Sequence, residues 1–429
     1  MASNTGRHTR SEASPRVGLF GKLGSGNIGN DASMEAVLAY LKADHPEAVV
    51  DAMCGRPQRI AERYGIDATP LHWYQRHEHV TGPAAIALKI MGRFADAYRT
   101  AAWVRSHDVV IVPGMGVLEA TLPERPWQFP YTMFLLGASG RLFGTKTALV
   151  SVGAHAINQR LTRRLLDASA RLAFYRSYRD MNSLEAMRKR GIDTSRDHVY
   201  PDLAYAIPVP PYNPGDAKTV GVGVMAYYGD NDDRSRADQL YASYVESLKT
   251  FVRWLVDNGR SIRLFVGDAN GSDEKVVQEI LADLRASRPD LPAGVAIFEP
   301  MSSFAELTRS MAPAATVVAT RYHNVMCALK LSKPTISIGY STKHDSLMAD
   351  MGLSEFCLSA GSLDAESLIE RFIELENRAS TLQATMLARN ELNARLLADQ
   401  FARLSALLLP SDKARATHRE RRRIRESTR

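Results

Sequence analysis

Arg16-Val-Gly-Leu-Phe-Gly-Lys-Leu-Gly-Ser-Gly-Asn-Ile-Gly-Asn30 is the stretch that decides how this 429-residue chain folds. Arg16–Phe20 reads as a short apolar strand and Gly21–Gly29 as a glycine-rich turn. Asn30 can cap a helix whose Met34, Val37, Leu38 and Leu41 share one face at 3.6-residue spacing. Strand, turn and helix in that order make the first unit of a parallel α/β sheet. Within the loop Gly24, Gly26, Asn27 and Gly29, the glycines let the backbone approach a ligand closely, and the helix start offers N–H groups to an anion. Gly24-Ser-Gly-Asn-Ile-Gly29 matches the bare Gly-x-Gly-x-x-Gly spacing but begins four residues after its strand, and no Gly-Lys-Ser/Thr follows. The stretch therefore reads as neither a dinucleotide fingerprint nor a nucleotide phosphate loop.

The same alternation continues outward. Val49–Met53, Asp108–Val112, Thr147–Val152 and Leu172–Tyr175 are strand candidates, and Asp108–Val112 is apolar enough to be buried on both faces. Four prolines between 207 and 214 (208, 210, 211 and 214) break the pattern and read as a linker. Strands then resume at Val220–Met225, Ile262–Val266, Val295–Phe298, Thr316–Ala319 and Thr335–Ile338, with helices between them. The expectation is α/β: two Rossmann-like domains, 16–206 and 218–378, joined by a linker at 207–217 and facing a cleft. A helical region at 379–410 follows, with breaks expected in it, and residues 1–15 and 411–429 are expected to be disordered. Ligands in open α/β sheets lie outside the carboxyl ends of strands, so chemistry is expected in the cleft.

Composition narrows the function. Apolar residues make up 45% and charged residues 24%, and no run of eighteen apolar residues exists to span a membrane. The first sixteen residues lack the apolar core of a secretory signal, and three scattered cysteines fit a reducing, cytoplasmic compartment. The net charge of +7 lies at the ends: 411–429 carries +5 and 1–16 carries +2, leaving 17–410 neutral. A nucleic-acid partner is therefore not expected. The basic tail reads as a solvated appendage, with weak attraction to anionic headgroups at a peripheral membrane surface as its functional reading. No metal site is expected, because His8, His72, His77 and His79 have no carboxylate at ligand spacing.

Three clusters can carry chemistry. Tyr175-Arg-Ser-Tyr-Arg-Asp180 places Arg179 at a strand exit before a helix, where a guanidinium can hold a carboxylate or phosphate in bidentate fashion. Tyr200-Pro-Asp202 adds an acid in a rigid turn. Val317-Val-Ala-Thr-Arg-Tyr-His323 is the most informative. Read as extended, it points Arg321 and His323 the same way, at the helix start at Asn324. Lys343, in Tyr340-Ser-Thr-Lys343, is placed on the same rim.

In sequence these pieces resemble the polysaccharide pyruvyl transferase family. The resemblance rests on Gly26-Asn-Ile-Gly-Asn-Asp31, Pro113-Gly-Met-Gly116, Arg179-Asp-x-x-Ser183, Pro201-Asp202, Arg321-Tyr-His323 and Tyr340-x-x-Lys343, in that order over about 17–355. The family's Gly-Gly-Gly becomes Pro113-Gly-Met-Gly116, and its Arg-Leu-His becomes Arg321-Tyr-His323, whose middle side chain is expected to point away from the ligand. The resemblance implies a two-domain fold like that of GT-B glycosyltransferases. It also implies transfer of pyruvate from phosphoenolpyruvate, a co-substrate with no further cofactor, onto the hydroxyls of a sugar or lipid-linked glycan in envelope or exopolysaccharide synthesis. Arg179, Arg321, His323, Asn324 and Lys343 become the donor-binding candidates, with Arg321 also catalytic and His323 the general acid or a phosphate binder. Asp31 or Asp202 becomes the base, and Gly114, Gly116 and Asp202 the acceptor wall. The rivals are a nucleotide-sugar glycosyltransferase of the same fold and a non-catalytic glycan-assembly component.

Overall fold

Apolar runs that cannot face water on either side demand a sheet covered by helices on both faces, and the chain builds two of them. The computed structural model describes residues 14–77, 83–119, 125–211, 213–229, 231–267, 272–292 and 294–409. Readings that concern 1–13 or the basic tail at 411–429 lie outside the described residues. The first sheet holds β1 (Arg16–Gly21), β2 (Val49–Cys54), β3 (Asp67–Pro70), β4 (Val109–Pro113), β5 (Lys146–Val152), β6 (Tyr175–Tyr178) and β7 (His198–Val199). The second holds β8 (Asp216–Gly223), β9 (Ser261–Phe265), β10 (Ala296–Phe298), β11 (Ala314–Ala319), β12 (Thr335–Gly339) and β13 (Cys357–Ser359). Their orders are β3-β2-β1-β4-β5-β6-β7 and β10-β9-β8-β11-β12-β13, with every pairing parallel. Both are doubly wound, so each reverses direction at one crevice: β1/β4 in the first and β8/β11 in the second.

The helices of the first domain are α1 (Ile28–Asp44), α2 (Pro57–Tyr64), α3 (Pro83–Arg105), α4 (Phe129–Phe143), α5 (Arg160–Leu172) and α6 (Met181–Lys189). Those after the second sheet begins are α7 (Ala237–Asp257), α8 (Ser272–Ser287), α9 (Phe304–Met311), α10 (Tyr322–Lys330), α11 (Thr342–Asp350), α12 (Ala365–Asn377) and α13 (Ala379–Leu408). Several expectations shift. Leu172 ends α5, so the fourth expected strand starts at Tyr175; β8 starts at Asp216, inside the expected linker; and Pro15, expected in the disordered N-terminus, accepts the Val49 N–H at 2.9 Å.

The expected break in the last helical region falls at Arg378, and the 30-residue α13 then crosses from one domain to the other. Near its start, Asn390 Nδ2 donates to the Leu329 and Lys330 carbonyls at 2.9 and 3.1 Å. Near its end, Phe401 stacks on Tyr40 at 4.6 Å and Lys146 Nζ donates to the Leu407 carbonyl at 2.6 Å. Gln400 is fully buried there, its Nε2 donating to Ser151 Oγ and Ser177 Oγ at 3.0 and 2.8 Å. Gln400→Ala strands two buried hydroxyls. It should cost about 2 kcal/mol, read as a lower urea midpoint.

Candidate active site

The site begins where β11 runs out. Arg321 is extended (φ −67°, ψ 131°) but α10 starts at the next residue, so the extended alternation expected through His323 does not hold. The Arg321 guanidinium turns to Asp273, donating from Nε and Nη2 at 2.8 and 2.7 Å. Asp273 is fully buried and also accepts the Ala226 N–H at 3.0 Å. Gly267 leaves room for this packing, since a Cβ there would lie 2.7 Å from Arg321 Cβ. Tyr322, expected to point away, turns into a cavity. His323 reaches across to the first domain, where a Cβ on Gly29 would lie 1.9 Å from its ring.

The cavity, of about 190 Å³, lies between the domains under α13 and is lined by Arg179, Asp202, Tyr205, Tyr322, Lys343 and Arg389 among others. Arg179 is buried and carries a charge with little to meet it. Among the described residues its nearest ion-pair partners are Asp180 at 3.6 Å and Glu119 at 3.8 Å, and Nε has no hydrogen-bond partner. Asp180 is occupied as the cap of α6, accepting the Ser183 N–H at 2.6 Å. Gly153 admits the guanidinium: a Cβ there would stand 2.6 Å from Nη2. Arg179 lies 5.1 Å over the Tyr322 ring, and Lys343 lies 5.7 Å over the same ring. Asn324 is fully buried beside Gly223, and among the described residues neither its Nδ2 nor its Oδ1 has a hydrogen-bond partner.

Burial, together with the neighbouring charges, sets the protonation states. Burial pushes the His323 imidazole down to about 3, helped by Arg179, Lys343 and Arg321. His344, donating from Nε2 to the Thr320 carbonyl at 3.1 Å, is pushed to about 3 chiefly by burial. Burial opposes the Arg179 charge, but Tyr322, Glu119, Asp202 and Asp180 outweigh it and hold its pKa above the usual arginine value. Burial raises Asp202 against the pull of Arg179.

The glycine loop departs from the reading of an open anion cradle. Asn27, not Asn30, caps α1, accepting the Gly29 and Asn30 N–H groups at 3.1 and 3.2 Å. Asp31 turns back to accept the Gly24 N–H at 2.7 Å, and burial raises its pKa. Asp202 caps a short turn through the Ala204 N–H at 3.0 Å. Gly114 and Met115 follow β4 with φ of 55° and 64°, and Met115 Cε fills the space before Gly21. Gly116 leaves room for Glu119, which the sequence reading missed. A second pocket of about 290 Å³ outside β1–β3 is lined by Lys22, Ser25, Arg56, His72, Gln128 and Phe129 among others. Burial lowers Lys22 to about 8 against the pull of Glu119, and His72 does have a carboxylate partner, Asp96 at 3.5 Å.

The polysaccharide pyruvyl transferase family model matches residues 27–342, which include Arg179, Arg321, His323 and Asn324. The chain belongs to that family. It is therefore a member of an enzyme family of pyruvyltransferases that serves polysaccharide biosynthesis. No curated protein matches it in sequence. Its fold is similar to a Listeria monocytogenes protein assigned as a UDP-N-acetylglucosamine 2-epimerase (13% identity, 93% of this chain and 98% of that one, TM-score 0.57). It is also similar to the Neisseria meningitidis UDP-GlcNAc 2-epimerase bound to UDP-GlcNAc (11%, 90% and 100%, 0.52) and to the glycosyltransferase SnogD of Streptomyces nogalater (16%, 92% and 99%, 0.50). These likenesses establish the GT-B-like fold. Among the described residues of this pyruvyl transferase, no cluster of His, Cys, Asp or Glu could hold a metal, and no helix is long and apolar enough to cross a membrane.

Gly29→Ala should drive His323 off its seat while leaving both sheets folded. The expected result is loss of transfer with an unchanged circular dichroism spectrum. His344 makes a signed pH prediction. Its folded pKa lies below the unfolded value of about 6.5, so the unfolded chain takes up a proton first and stability falls as pH drops below about 6.5. In His344→Gln, which keeps a donor for Thr320, melting temperatures at pH 7.5 and 5 should differ less than in the unsubstituted protein.

Proposed function

We propose that this enzyme moves the pyruvate carbons of phosphoenolpyruvate onto hydroxyls of a polysaccharide or glycolipid-precursor sugar, closing a ketal and releasing phosphate. The observation that carries the reading is Arg179: a buried guanidinium whose Nε is unpaired and which has no carboxylate within 3.5 Å among the described residues, with an open face toward a cavity between the domains. Such a group favours a bound anion, and bidentate capture of a carboxylate or phosphate satisfies it. Lys343 and the unpaired Asn324 amide supply further donors to the trianionic donor. Arg321 contributes positive potential while Asp273 fixes its direction.

The donor's charge also makes His323 useful. In the free protein the imidazole is neutral at pH 7, and an anion bound beside it raises its proton affinity. Protonated His323 gives its proton to the methylene carbon, leaving a cation-like centre at C2 that an acceptor hydroxyl attacks. Phosphate then leaves C2 and a second hydroxyl closes the ketal. One hydroxyl proton replaces the proton given to carbon and the other departs with phosphate, so the exchange balances. Asp31 and Asp202 are bound into backbone turns, whereas Glu119 stands between Lys22 and Arg179. We assign Glu119 as the acceptor base and the pocket lined by Lys22, His72 and Phe129 as the acceptor subsite. Phosphoenolpyruvate is made inside cells, which places the reaction in the cytoplasm, at the inner membrane face when the acceptor is lipid-linked.

Phosphoenolpyruvate at ~100 times its dissociation constant should stabilise the protein by about 2.7 kcal/mol, visible as a melting shift without added divalent metal. Arg179→Ala should reduce that affinity roughly 10- to 100-fold, and His323→Ala should abolish transfer with donor binding largely kept. A shift with a uridine diphosphate sugar and none with phosphoenolpyruvate would reassign the chain to glycosyl transfer.

A further inference from the structure

The helix α3 buries Val104 against the sheet but also carries large apolar side chains on its outward face. Its inward side holds Asp96 and Thr100, each 1% exposed, while Ile86, Ile90, Met91, Phe94 and Tyr98 stand 58–76% exposed. Ile86, Ile90, Phe94 and Tyr98 recur at four-residue steps, so they form one ridge along the helix. The neighbouring α4 adds Leu142, 75% exposed, and Phe143, whose ring lies 5.8 Å from the Arg105 guanidinium at the end of α3. Soluble proteins rarely show contiguous apolar surface of this kind without a partner for it.

The charges say which partner. Asp96 is the sole acid among residues 83–105 and 129–143, and it is buried. Lys89, Arg105 and Arg141 are exposed on the same two helices. A second copy of this chain offering the same face would bring cation against cation with no carboxylate between them. An anionic bilayer supplies negative headgroups for the cations and acyl chains for the ridge, the combination that holds amphipathic helices in the interface. We propose that α3, with the adjoining end of α4, rests on an anionic lipid surface.

The placement has a consequence for the pocket beside it. The turn Trp73–His77 hangs from α3, its Trp73 N–H donating to Asp96 at 2.6 Å, and its Gln75 and the adjoining His72 line the pocket outside β1–β3. Phe129, at the start of α4, closes another side. Seating α3 on lipid therefore holds that pocket close to the headgroups.

The test uses the full chain and vesicles of phosphatidylcholine with phosphatidylglycerol. The protein should sediment with these vesicles, and Phe94→Ser/Tyr98→Ser should do so at least fivefold less, with its melting temperature unchanged because both side chains are exposed. A Phe94→Trp protein should gain fluorescence quenching from brominated acyl chains beyond that of the unsubstituted protein. Both variants retain residues 411–429, so equal sedimentation of the double variant assigns any lipid binding to the basic tail and overturns the proposal. So does an absence of added quenching, or a solution dimer that the double substitution dissociates.

Discussion

The His323 ring occupies the space in front of Gly29 that any side chain there would fill. That contact joins the loop leaving β1 to the helix leaving β11, the two crevices at which the sheets reverse direction. It sets how far apart the domains stand and what can face the cavity between them. Flanking contacts hold the same spacing: Arg63 Nη1 donates to the Ser302 carbonyl at 3.0 Å, and Lys330 Nζ donates to the Tyr205 carbonyl at 2.5 Å. The α13 helix then locks the arrangement by hydrogen-bonding to both domains.

Within that frame the arginines divide the work. Arg321 is fixed in a short, two-point bond to a fully buried carboxylate, so most of its charge is already answered. Arg179 is more deeply enclosed than Arg321, yet among the described residues it has only long ion pairs. Removing a guanidinium from water without a close partner is costly, and a protein tolerates that cost where a ligand will offset it. Tyr322 makes the enclosure workable by placing its ring under both Arg179 and Lys343. Burial, reinforced by those cations, keeps the His323 imidazole neutral in the free protein, so in the proposed reaction its protonation follows occupation of the site by an anion.

The central strands were legible because burial on both faces demands continuous apolar runs, as in Val109–Pro113. The edge strands β3, β7 and β13 were not, because an edge needs no such run and Asp67–Pro70 and His198–Val199 carry none. Arg179, Arg321, His323, Asn324 and Lys343 stood out as polar groups at strand exits, and all five lie around the start of α10. Their division of labour was invisible, since Asp273 meets Arg321 across 48 residues of chain. Tyr322 was misjudged for a local reason: the helix begins one residue after Arg321, which turns an alternating segment into a helical one. Asn27 took the capping role from Asn30 because α1 starts at Ile28 rather than after the last glycine.

Phosphorus NMR on the purified protein with phosphoenolpyruvate and a glycan acceptor addresses the chemistry most directly. The account predicts that inorganic phosphate appears as phosphoenolpyruvate disappears, only with the acceptor present, while the acceptor gains one pyruvate with loss of water. Phosphoenolpyruvate left intact across a panel of glycan acceptors, with nucleotide diphosphate released from a nucleotide sugar instead, would contradict it.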